Sequence, residues 1–510
     1  MRLFAEKNHP VSGVCRDDCL NYHPRDMYVW DSWYFNHRDE VHVIHLQKNR
    51  PGSDRPAIDG RSLGHAFSKD FLTWTELPVA LYPGSEGSVD DLDLFTGCTI
   101  YHSGIYYLYY TARKRSEEGR VQRLCVATSQ DAIHWTKHAG PVIVPNQRWY
   151  EEGDCRDLMV VEDPETKKFH GFFTARIRSN ELTETAVVGH ATSTDLIHWN
   201  QGPPVFAPGA YGILEEPDIF KLDGRWWIIC ATGNFDGVRG RYRDPYVTYG
   251  TVYGFAEKID GPYLQGESTL LLGAGEFNGF SCRTVMWKDR RYAMYTQAER
   301  KGNQDGAPST LGCITTPKEL RSSGDSLYLH YSPLIEERIS GTLIGSASTP
   351  LLEEVPYGMS DRRFGTSGVW EAHGSAIHAN SPRSWSARRC GDGAEGFLWS
   401  AVLKLDQGRA IGLLFRDSLL VYLDFMEQCI TFTDLPNLSR RESHHIAVEH
   451  GRSYHLRLLA KAEFLEVYLD GELLLNFVRY QPSKGRFGLY IESGKGTFSQ
   501  LHAKSLRVSC

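Results

Sequence analysis

The sequence predicts an all-β protein, a five-bladed β-propeller followed by a C-terminal β-sandwich. Three observations support this fold class. A run of aromatic and β-branched residues recurs about every 60 residues in the first two thirds of the chain. Continuous helical periodicity is almost absent, and the last third alternates apolar and polar residues with a period of two.

One repeat ends in the pattern Ser-x-Asp-x-x-x-Trp. Ser and Asp suit a turn because their side chains bond the local backbone, so each copy predicts a turn after a strand. We expect Trp74, Trp135 and Trp199 to pack in the core rather than to stack on a ligand. The three copies are LGHAFSKDFLTW (63–74), LCVATSQDAIHW (124–135) and VGHATSTDLIHW (188–199).

A second element occurs five times, as a polar turn followed by an aromatic and β-branched run. This pattern is typical of the second strand of a hairpin that is buried on both faces. Five such units fill residues 1–335, and radial repetition in a propeller protects their strand edges. The five copies begin at residues 39, 103, 166, 223 and 289.

Acidic residues recur near the start of the preceding strands. Counting back about 13 to 15 residues from each buried strand gives Asp31, Phe95, Asp157, Glu215 and the segment 279–282. Because equivalent strand starts in a propeller meet near its axis, three carboxylates are expected in one funnel. The alternative is that these acids only bond turn amides.

Converging carboxylates suit glycoside cleavage, which needs one protonated acid and one ionised partner. The acid protonates the leaving oxygen, and the partner attacks the sugar or activates water. Arg156 precedes Asp157 and would hold that acid ionised or bind a hydroxyl.

Composition limits the partners. The net charge is −7, which argues against nucleic acid, and no apolar run approaches the roughly 18 residues that span a bilayer. The first residues lack the apolar core of a signal peptide, so we expect a cytoplasmic protein with a small oligosaccharide substrate. The 11 cysteines are odd in number and predict buried free thiols.

A weak metal-like spacing joins Cys15, Cys19 and His23. No fourth ligand is nearby and the spacing is unusual for structural zinc, so ordinary packing is the favoured interpretation. We predict no metal and no cofactor.

The motifs resemble those of glycoside hydrolase families 32 and 68, the β-fructofuranosidase, levanase and levansucrase group. The resemblance implies Asp31 as nucleophile, Asp157 as transition-state stabiliser and Glu215 as acid/base. The matching segments are VWDSW (29–33), LGHAFSKDFLTWTELPVAL (63–81), FTG (95–97), CRDL (155–158), EEPDIF (215–220) and TTPKEL (315–320).

This chain departs from the family 32 pattern at the sugar subsite. Trp-Asp-Ser-Trp replaces the first motif Trp-Met-Asn-Asp-Pro-Asn, Leu158 replaces a proline, and Glu216 replaces a cysteine. A second carboxylate beside the acid/base would raise its pKa or contact a substrate hydroxyl. The residues expected to line the subsite are Trp30, Gln47, Phe95, Arg156 and Glu216.

The last part of the chain predicts a β-sandwich over residues 369–510, after a linker at 336–368. Short alternating strands and a tight Asp470-Gly471 hairpin turn support this interpretation. The order of propeller and then sandwich also resembles family 32. Packing is its expected role, and sugar binding is the alternative.

The predicted function is a retaining exo-glycosidase that releases terminal β-fructofuranosyl units from sucrose-like or short fructo-oligosaccharides. Fructosyl transfer is a close alternative, because a sugar can intercept a covalent intermediate instead of water. Two further alternatives stay open: an inverting arabinofuranosidase or xylosidase resembling family 43, and a non-catalytic carbohydrate-binding propeller.

Overall fold

The structure is a computed structural model that describes residues 20–56, 60–178, 184–233, 249–266, 269–274, 279–345, 352–355, 368–435 and 439–507. Those ranges contain 34 β-strands and three short 3-10 helices, at Arg115–Glu117, Lys301–Asn303 and Pro333–Arg338. The predicted all-β class is therefore confirmed. None of the helices in these ranges is long and apolar enough to cross a membrane.

Four antiparallel sheets follow one another along the chain. Within each sheet, strands that are consecutive in the sequence are hydrogen-bonded to each other. Their strands are β1 (Met27–His37), β2 (Glu40–Asn49), β3 (Ser62–Ser68), β4 (Trp74–Glu76); β5 (Asp93–His102), β6 (Ile105–Arg113), β7 (Gln122–Ser129), β8 (Thr136–Lys137); β9 (Cys155–Glu162), β10 (Phe169–Arg176), β11 (Ala186–Ser193), β12 (Asn200–Phe206); and β13 (Glu215–Leu222), β14 (Arg225–Thr232), β15 (Tyr249–Ala256), β16 (Leu270–Ala274).

A fifth antiparallel group follows, in which β18 pairs with β17, β19 and β20. Its strands are β17 (Gly279–Trp287), β18 (Arg290–Arg300), β19 (Ser309–Ile314), β20 (Lys318–Ser323) and β21 (Ser326–His330). β19 also bonds β1 through Gly312 and Val29, which links the last group to the first. The first strands contact one another in a ring, β1 to β5, β5 to β9, β9 to β13, β13 to β17 and β17 back to β1.

The five recurring aromatic and β-branched runs form β2, β6, β10, β14 and β18. Each is the second strand of its group, and its central residues are buried. The predicted buried hairpin strand is therefore confirmed in all five copies.

The Ser-x-Asp repeat forms the predicted turn. In the first copy, Ser68 Oγ donates to Asp70 Oδ1 at 3.0 Å and the Leu72 amide donates to the same oxygen at 2.8 Å. The copies at Asp131 and Asp195 repeat these bonds, with amide contacts of 2.9 and 3.0 Å. Side-chain oxygens thus replace backbone partners in a tight turn.

The long strands β25 and β34 connect the C-terminal strands. Residues 488–492 of β34 pair with β27, whereas residues 495–505 pair with β26. Side chains of these strands form a large apolar core. The strands are β22 (Ile339–Ile344), β23 (Glu353–Glu354), β24 (Val369–His373), β25 (Ala376–Gly391), β26 (Phe397–Gln407), β27 (Ala410–Phe415), β28 (Leu419–Asp424), β29 (Cys429–Asp434), β30 (Ser439–His445), β31 (Ser453–Lys461), β32 (Phe464–Leu469), β33 (Glu472–Val478) and β34 (Phe487–Leu506).

Two details bear on the predicted organisation. Asp470 and Gly471 both have positive φ, 51° and 93°, between β32 and β33, so the predicted tight hairpin is confirmed. β22 lies inside the predicted linker and pairs with β34, so part of that segment is a strand of the C-terminal sheets.

The eight cysteines in the described ranges are buried thiols outside any disulfide, as predicted. Cys15 and Cys19 lie outside the described residues. His23 Nδ1 lies 3.5 Å from Glu299 Oε1. Within the described ranges, no group of three or more His, Cys, Asp or Glu side chains could hold a metal ion.

Candidate active site

The first strand of every group carries a β-bulge at the same place. Two residues of the first strand face one residue of the second, at positions 30–31, 96–97, 157–158, 216–217 and 281–282. Asp157, Glu216 and Ser281 adopt positive φ there, between 51° and 58°. A bulge redirects a side chain without ending the strand, so these positions turn toward the inner ends of the sheets.

The bulge corrects the register expected from the repeat. By strand pairing, Glu215 corresponds to Phe95 and to Arg156, and it is Glu216 that corresponds to Asp157. The extra residue in each bulge shifts a count taken from the buried strand by one or two positions. The acids still converge, but Glu215 and Glu216 both enter the cluster.

Asp31 lies half-buried at the bulge of β1. Thr96 Oγ1 from β5 donates to its Oδ2 at 2.7 Å, and its carboxyl is hydrogen-bonded to the carboxyl of Glu216. Burial raises the pKa of Asp31, while the bonds from Glu216 and Thr96 lower it. Burial outweighs the two bonds, so the pKa of Asp31 lies above its usual range, and both bonds act in favour of its anion.

Glu216 is 3% exposed and lies between three neighbouring groups of strands. Its amide donates to Asp157 Oδ2 at 3.2 Å, and Ser281 Oγ donates to its Oε2. Burial, followed by the charge of Asp31, raises the pKa of Glu216 well above its usual range. This carboxyl is the one in the cluster that favours the protonated form most clearly.

Asp157 is 2% exposed and accepts a bond from Thr174 Oγ1 at 2.9 Å. Its own amide donates to Thr111 Oγ1 at 3.0 Å, which fixes the bulge against β6. Burial raises the pKa of Asp157 to about 7, although the adjacent Arg156 guanidinium opposes that rise.

Arg156 joins the acids electrostatically. Its Nη2 donates to Glu215 Oε1 at 2.8 Å, its Nε lies 3.4 Å from Asp157 Oδ2, and its Nη1 bonds Asp154. The Glu215 side chain is 24% exposed, in contrast to Glu216, so it faces the open side of the cluster. The pKa of Arg156 is raised because these acids outweigh its burial.

A second guanidinium closes the buried side of the cluster. Arg283 is 2% exposed and donates to the Glu216 carbonyl at 3.0 Å and to the Gly97 carbonyl at 2.9 Å. It thereby ties β17 to β13 and β5. Sequence reasoning missed Arg283, because nothing in its surroundings sets it apart from other strand residues.

Aromatic residues flank the acids on the β1 and β5 side. The guanidinium of Arg61 lies 4.5 Å from the ring centre of Phe95 and 5.7 Å from that of Trp30, and Arg113 lies 4.7 Å from Phe95. Both arginines contact Asp93, at 3.2 and 3.5 Å. Phe95 thus presents its ring between two cations rather than to an apolar neighbour.

Gln47 is 2% exposed on β2, beside the bulge of β1. Its side-chain amide donates to Ser62 Oγ at 3.1 Å, which fixes it against β3. Besides Arg283, sequence reasoning missed Thr96, Ser281, Arg61 and Arg113. Thr96 and Ser281 could have been found from the five matching bulge positions, had the extra residue been foreseen.

The arrangement combines carboxyls of two kinds in one place. Glu215 is accessible and paired with Arg156, whereas Glu216 is enclosed and paired with Asp31. Asp157 adds a third acid held by Arg156 and Thr174. Such a set can supply a nucleophile, a proton donor and a charge stabiliser to one bound sugar.

The chain is similar in sequence to known glycoside hydrolases. Residues 35–259 match the model of the glycosyl hydrolases family 32 N-terminal domain. A sucrose-6-phosphate hydrolase of Zymomonas mobilis is 40% identical over 278 residues, which are 50% of this chain and 51% of that protein. A sucrose-6-phosphate hydrolase of Escherichia coli is 21% identical over 84% of this chain and 83% of its own.

The chain spans about half the length of the Zymomonas relative, and a match to a Bacillus subtilis levanase covers 25% of that protein. Solved structures resemble the fold over nearly the whole chain. The sucrose-6-phosphate hydrolase of Lactobacillus gasseri has a TM-score of 0.70 at 15% identity, covering 97% of this chain and 93% of its own. The Aspergillus awamori exo-inulinase has a TM-score of 0.67 at 18% identity, covering 96% and 98%. The family match over residues 35–259, together with these relatives, supports glycoside hydrolase family 32 for this chain.

Proposed function

We propose that the protein is a retaining exo-β-fructofuranosidase acting on sucrose, its phosphate or short fructo-oligosaccharides. One observation supports this proposal most: Arg156 contacts both Asp157 and Glu215. The half-buried Asp31, which accepts a hydrogen bond from Thr96, belongs to the same cluster. The sucrose-6-phosphate hydrolase and levanase relatives support the fructosyl class of substrate.

In the proposed reaction, Asp31 attacks the anomeric carbon of the fructosyl unit and Glu215 protonates the leaving oxygen. Glu215 suits that role because its carboxyl is accessible, whereas Glu216 is enclosed. Glu215 then takes a proton from the water that cleaves the fructosyl ester of Asp31. Asp157, held by Arg156, stabilises the positive charge that develops on the sugar ring.

The proposed architecture is a five-bladed propeller with this cluster at its axis, followed by a sandwich. The ring of contacts among the five first strands and the β1–β19 pairing support closure. The large apolar core of the C-terminal strands supports the sandwich. A cytoplasmic location remains a prediction, and it would favour short imported substrates over polymers.

A hydrolysis screen tests the function. The wild-type protein is assayed with sucrose, sucrose 6-phosphate, inulobiose, levanbiose and nitrophenyl arabinofuranosides, and released fructose and transfer products are measured. Asp31→Asn should lose at least about a thousandfold in kcat on any fructoside cleaved. Asp325→Asn, which changes an acid that is 58% exposed far from the cluster, is the matched control and should keep full activity.

Three outcomes would overturn the proposal. Cleavage of arabinosides alone would show that the enzyme releases arabinosyl units and not fructosyl units. Unchanged turnover by Asp31→Asn would exclude Asp31 as the nucleophile. Sugar binding without any turnover by the wild-type protein would assign a binding module.

A further inference from the structure

The pairing of Glu216 with Asp31 has no counterpart in the family motif, where a cysteine follows the acid/base. Glu216 lies at the bulge of β13 with φ of 51°, and its backbone is fixed on both sides. Its amide bonds Asp157 Oδ2 at 3.2 Å, and its carbonyl accepts from Arg283 at 3.0 Å. A backbone fixed in this way leaves the Glu216 carboxyl little freedom to leave Asp31.

The hydrogen bonds around the pair determine where a proton must lie. Two carboxyls can hydrogen-bond each other only if one of them carries a proton. Asp31 Oδ2 already accepts from Thr96 at 2.7 Å, which favours its anion. Ser281 Oγ accepts from the Ser32 amide at 3.4 Å and is free to donate its own proton to Glu216 Oε2. Each acid thus accepts one bond from a hydroxyl, so burial distinguishes them: Glu216 is 3% exposed whereas Asp31 is half-buried, which places the proton on the more enclosed Glu216.

We propose that Glu216 is a positioning residue for Asp31: it stays protonated in the resting enzyme and donates a hydrogen bond that holds the nucleophile ionised and oriented. The proposal rests on the proposed function through the role of Asp31. The Asp31–Glu216 pair neither gains nor loses a proton in the first step. The Asp31 carboxylate forms an ester with the fructosyl carbon, the bond to the leaving oxygen breaks, and Glu215 supplies the proton to that oxygen.

Other charged groups that face the pair are Glu215 and Arg61 around Asp31, and Asp157 and Arg283 around Glu216. The two guanidiniums favour ionisation, whereas the two acids oppose a second negative charge. Buried neutral groups complete the surroundings, and burial raises the pKa of each: Tyr34, Cys230 and Cys282.

The acid limb of the pH profile of kcat/KM tests the proposal. In Glu216→Gln, the amide N–H keeps donating to Asp31, so the acid limb should stay within about 0.3 pH units of the wild type. In Glu216→Ala, the donor is lost, so the acid limb should move about one pH unit upward. Glu216→Cys, which restores the family residue, should fall between the two.

Two results would overturn the proposal. A downward shift of the acid limb in Glu216→Gln would mean that Glu216 is an anion whose charge hinders ionisation of Asp31. A rise in KM with an unmoved acid limb in Glu216→Ala would assign Glu216 to a substrate hydroxyl instead.

A stability measurement tests the proton without any activity. A carboxyl whose pKa is higher in the folded state stabilises the protein fully below its unfolded value, near 4.5, and loses that contribution as pH rises. Glu216→Gln should therefore gain stability relative to the wild type as pH rises above 4.5. If the unfolding free energies of the wild type and Glu216→Gln changed equally with pH, the proposal would be contradicted, even if the protein cleaved no fructoside. Failure of this measurement is thus distinct from failure of the proposed function.

Discussion

Arg156 Nη2 lies 2.8 Å from Glu215 Oε1, and the same guanidinium contacts Asp154 and Asp157. A lysine can make only a point contact in its place, so Arg156→Lys should separate these acids. We expect kcat/KM on the cleaved fructoside to fall on the order of a hundredfold. Arg176→Lys is the matched control, because Arg176 bonds Asp154 alone among these acids. Equal losses in both variants would mean that Arg156 acts only through Asp154.

Thr96 connects β5 to Asp31 by a bond of 2.7 Å from its hydroxyl. Thr96→Val keeps the shape of the side chain and removes this donor, so the pKa of Asp31 should rise further. The acid limb of kcat/KM should move upward by about half to one pH unit. Thr99→Val is the control, since the Thr99 hydroxyl bonds Trp33 instead. An unmoved acid limb in Thr96→Val would show that Asp31 is not the group that titrates there.

Glu466 is buried between Lys318 and Lys461, at 2.6 and 2.7 Å, where β20 meets the C-terminal strands. These lysines lower the pKa of Glu466 to about 2. Burial lowers the pKa of Lys318 to about 7, so Glu466→Gln removes the carboxylate that keeps the buried lysines charged and should cost about 3–5 kcal/mol in unfolding free energy. The exposed Glu371→Gln should cost less than about 0.5 kcal/mol.

The specific activity of the folded fraction should not change in Glu466→Gln, because the residue lies outside the acid cluster. Replacing Glu466, Lys318 and Lys461 together by apolar residues should recover most of the lost stability. A triple variant as unstable as the single one would contradict this account of the ion cluster.

Histidine pairs recur in the sheets, with His42 Nδ1 2.9 Å from His65 Nε2 and His170 Nδ1 3.0 Å from His190 Nε2. Burial lowers the pKa of His42 and of His190 to about 4, from 6.5. The unfolded chain therefore binds protons first, and stability should decline as pH falls from about 6.5 to 4. Each such histidine contributes up to about 1.4 kcal/mol per pH unit to that slope.

Denaturant unfolding between pH 7 and pH 4 measures this slope. His190→Gln keeps a hydrogen-bonding side chain that does not titrate, so its unfolding free energy should vary less steeply with pH. Identical slopes for the two proteins would contradict the assignment.

The sequence predicted the parts of the fold that local chemistry specifies. The Ser68 and Asp70 turn and the Asp470-Gly471 hairpin follow from side-chain and backbone preferences of adjacent residues. The buried strands were visible because apolar residues on both faces leave a continuous run, as in β14.

The finer geometry of the site was not visible, because it depends on a bulge and on contacts between distant strands. The bulge places Glu216 and Pro217 opposite one residue of β14, and the proline alone did not indicate it in the sequence. Arg283 contacts Gly97, 186 positions away, so no local pattern could reveal it. Asp31 and Asp157 were found by counting back from the buried strands of the repeat, and the family resemblance added their roles, which remain predictions.

The most direct test of the central claim is to trap the fructosyl ester. A Glu215→Ala variant is mixed with a fructoside that carries a good leaving group, so that the first step proceeds and the second is slow. Peptide mass mapping should then locate one fructosyl unit on the peptide that contains Asp31, and wild-type enzyme should release β-fructofuranose first. Absence of any adduct together with first release of the α anomer would contradict a retaining mechanism at Asp31.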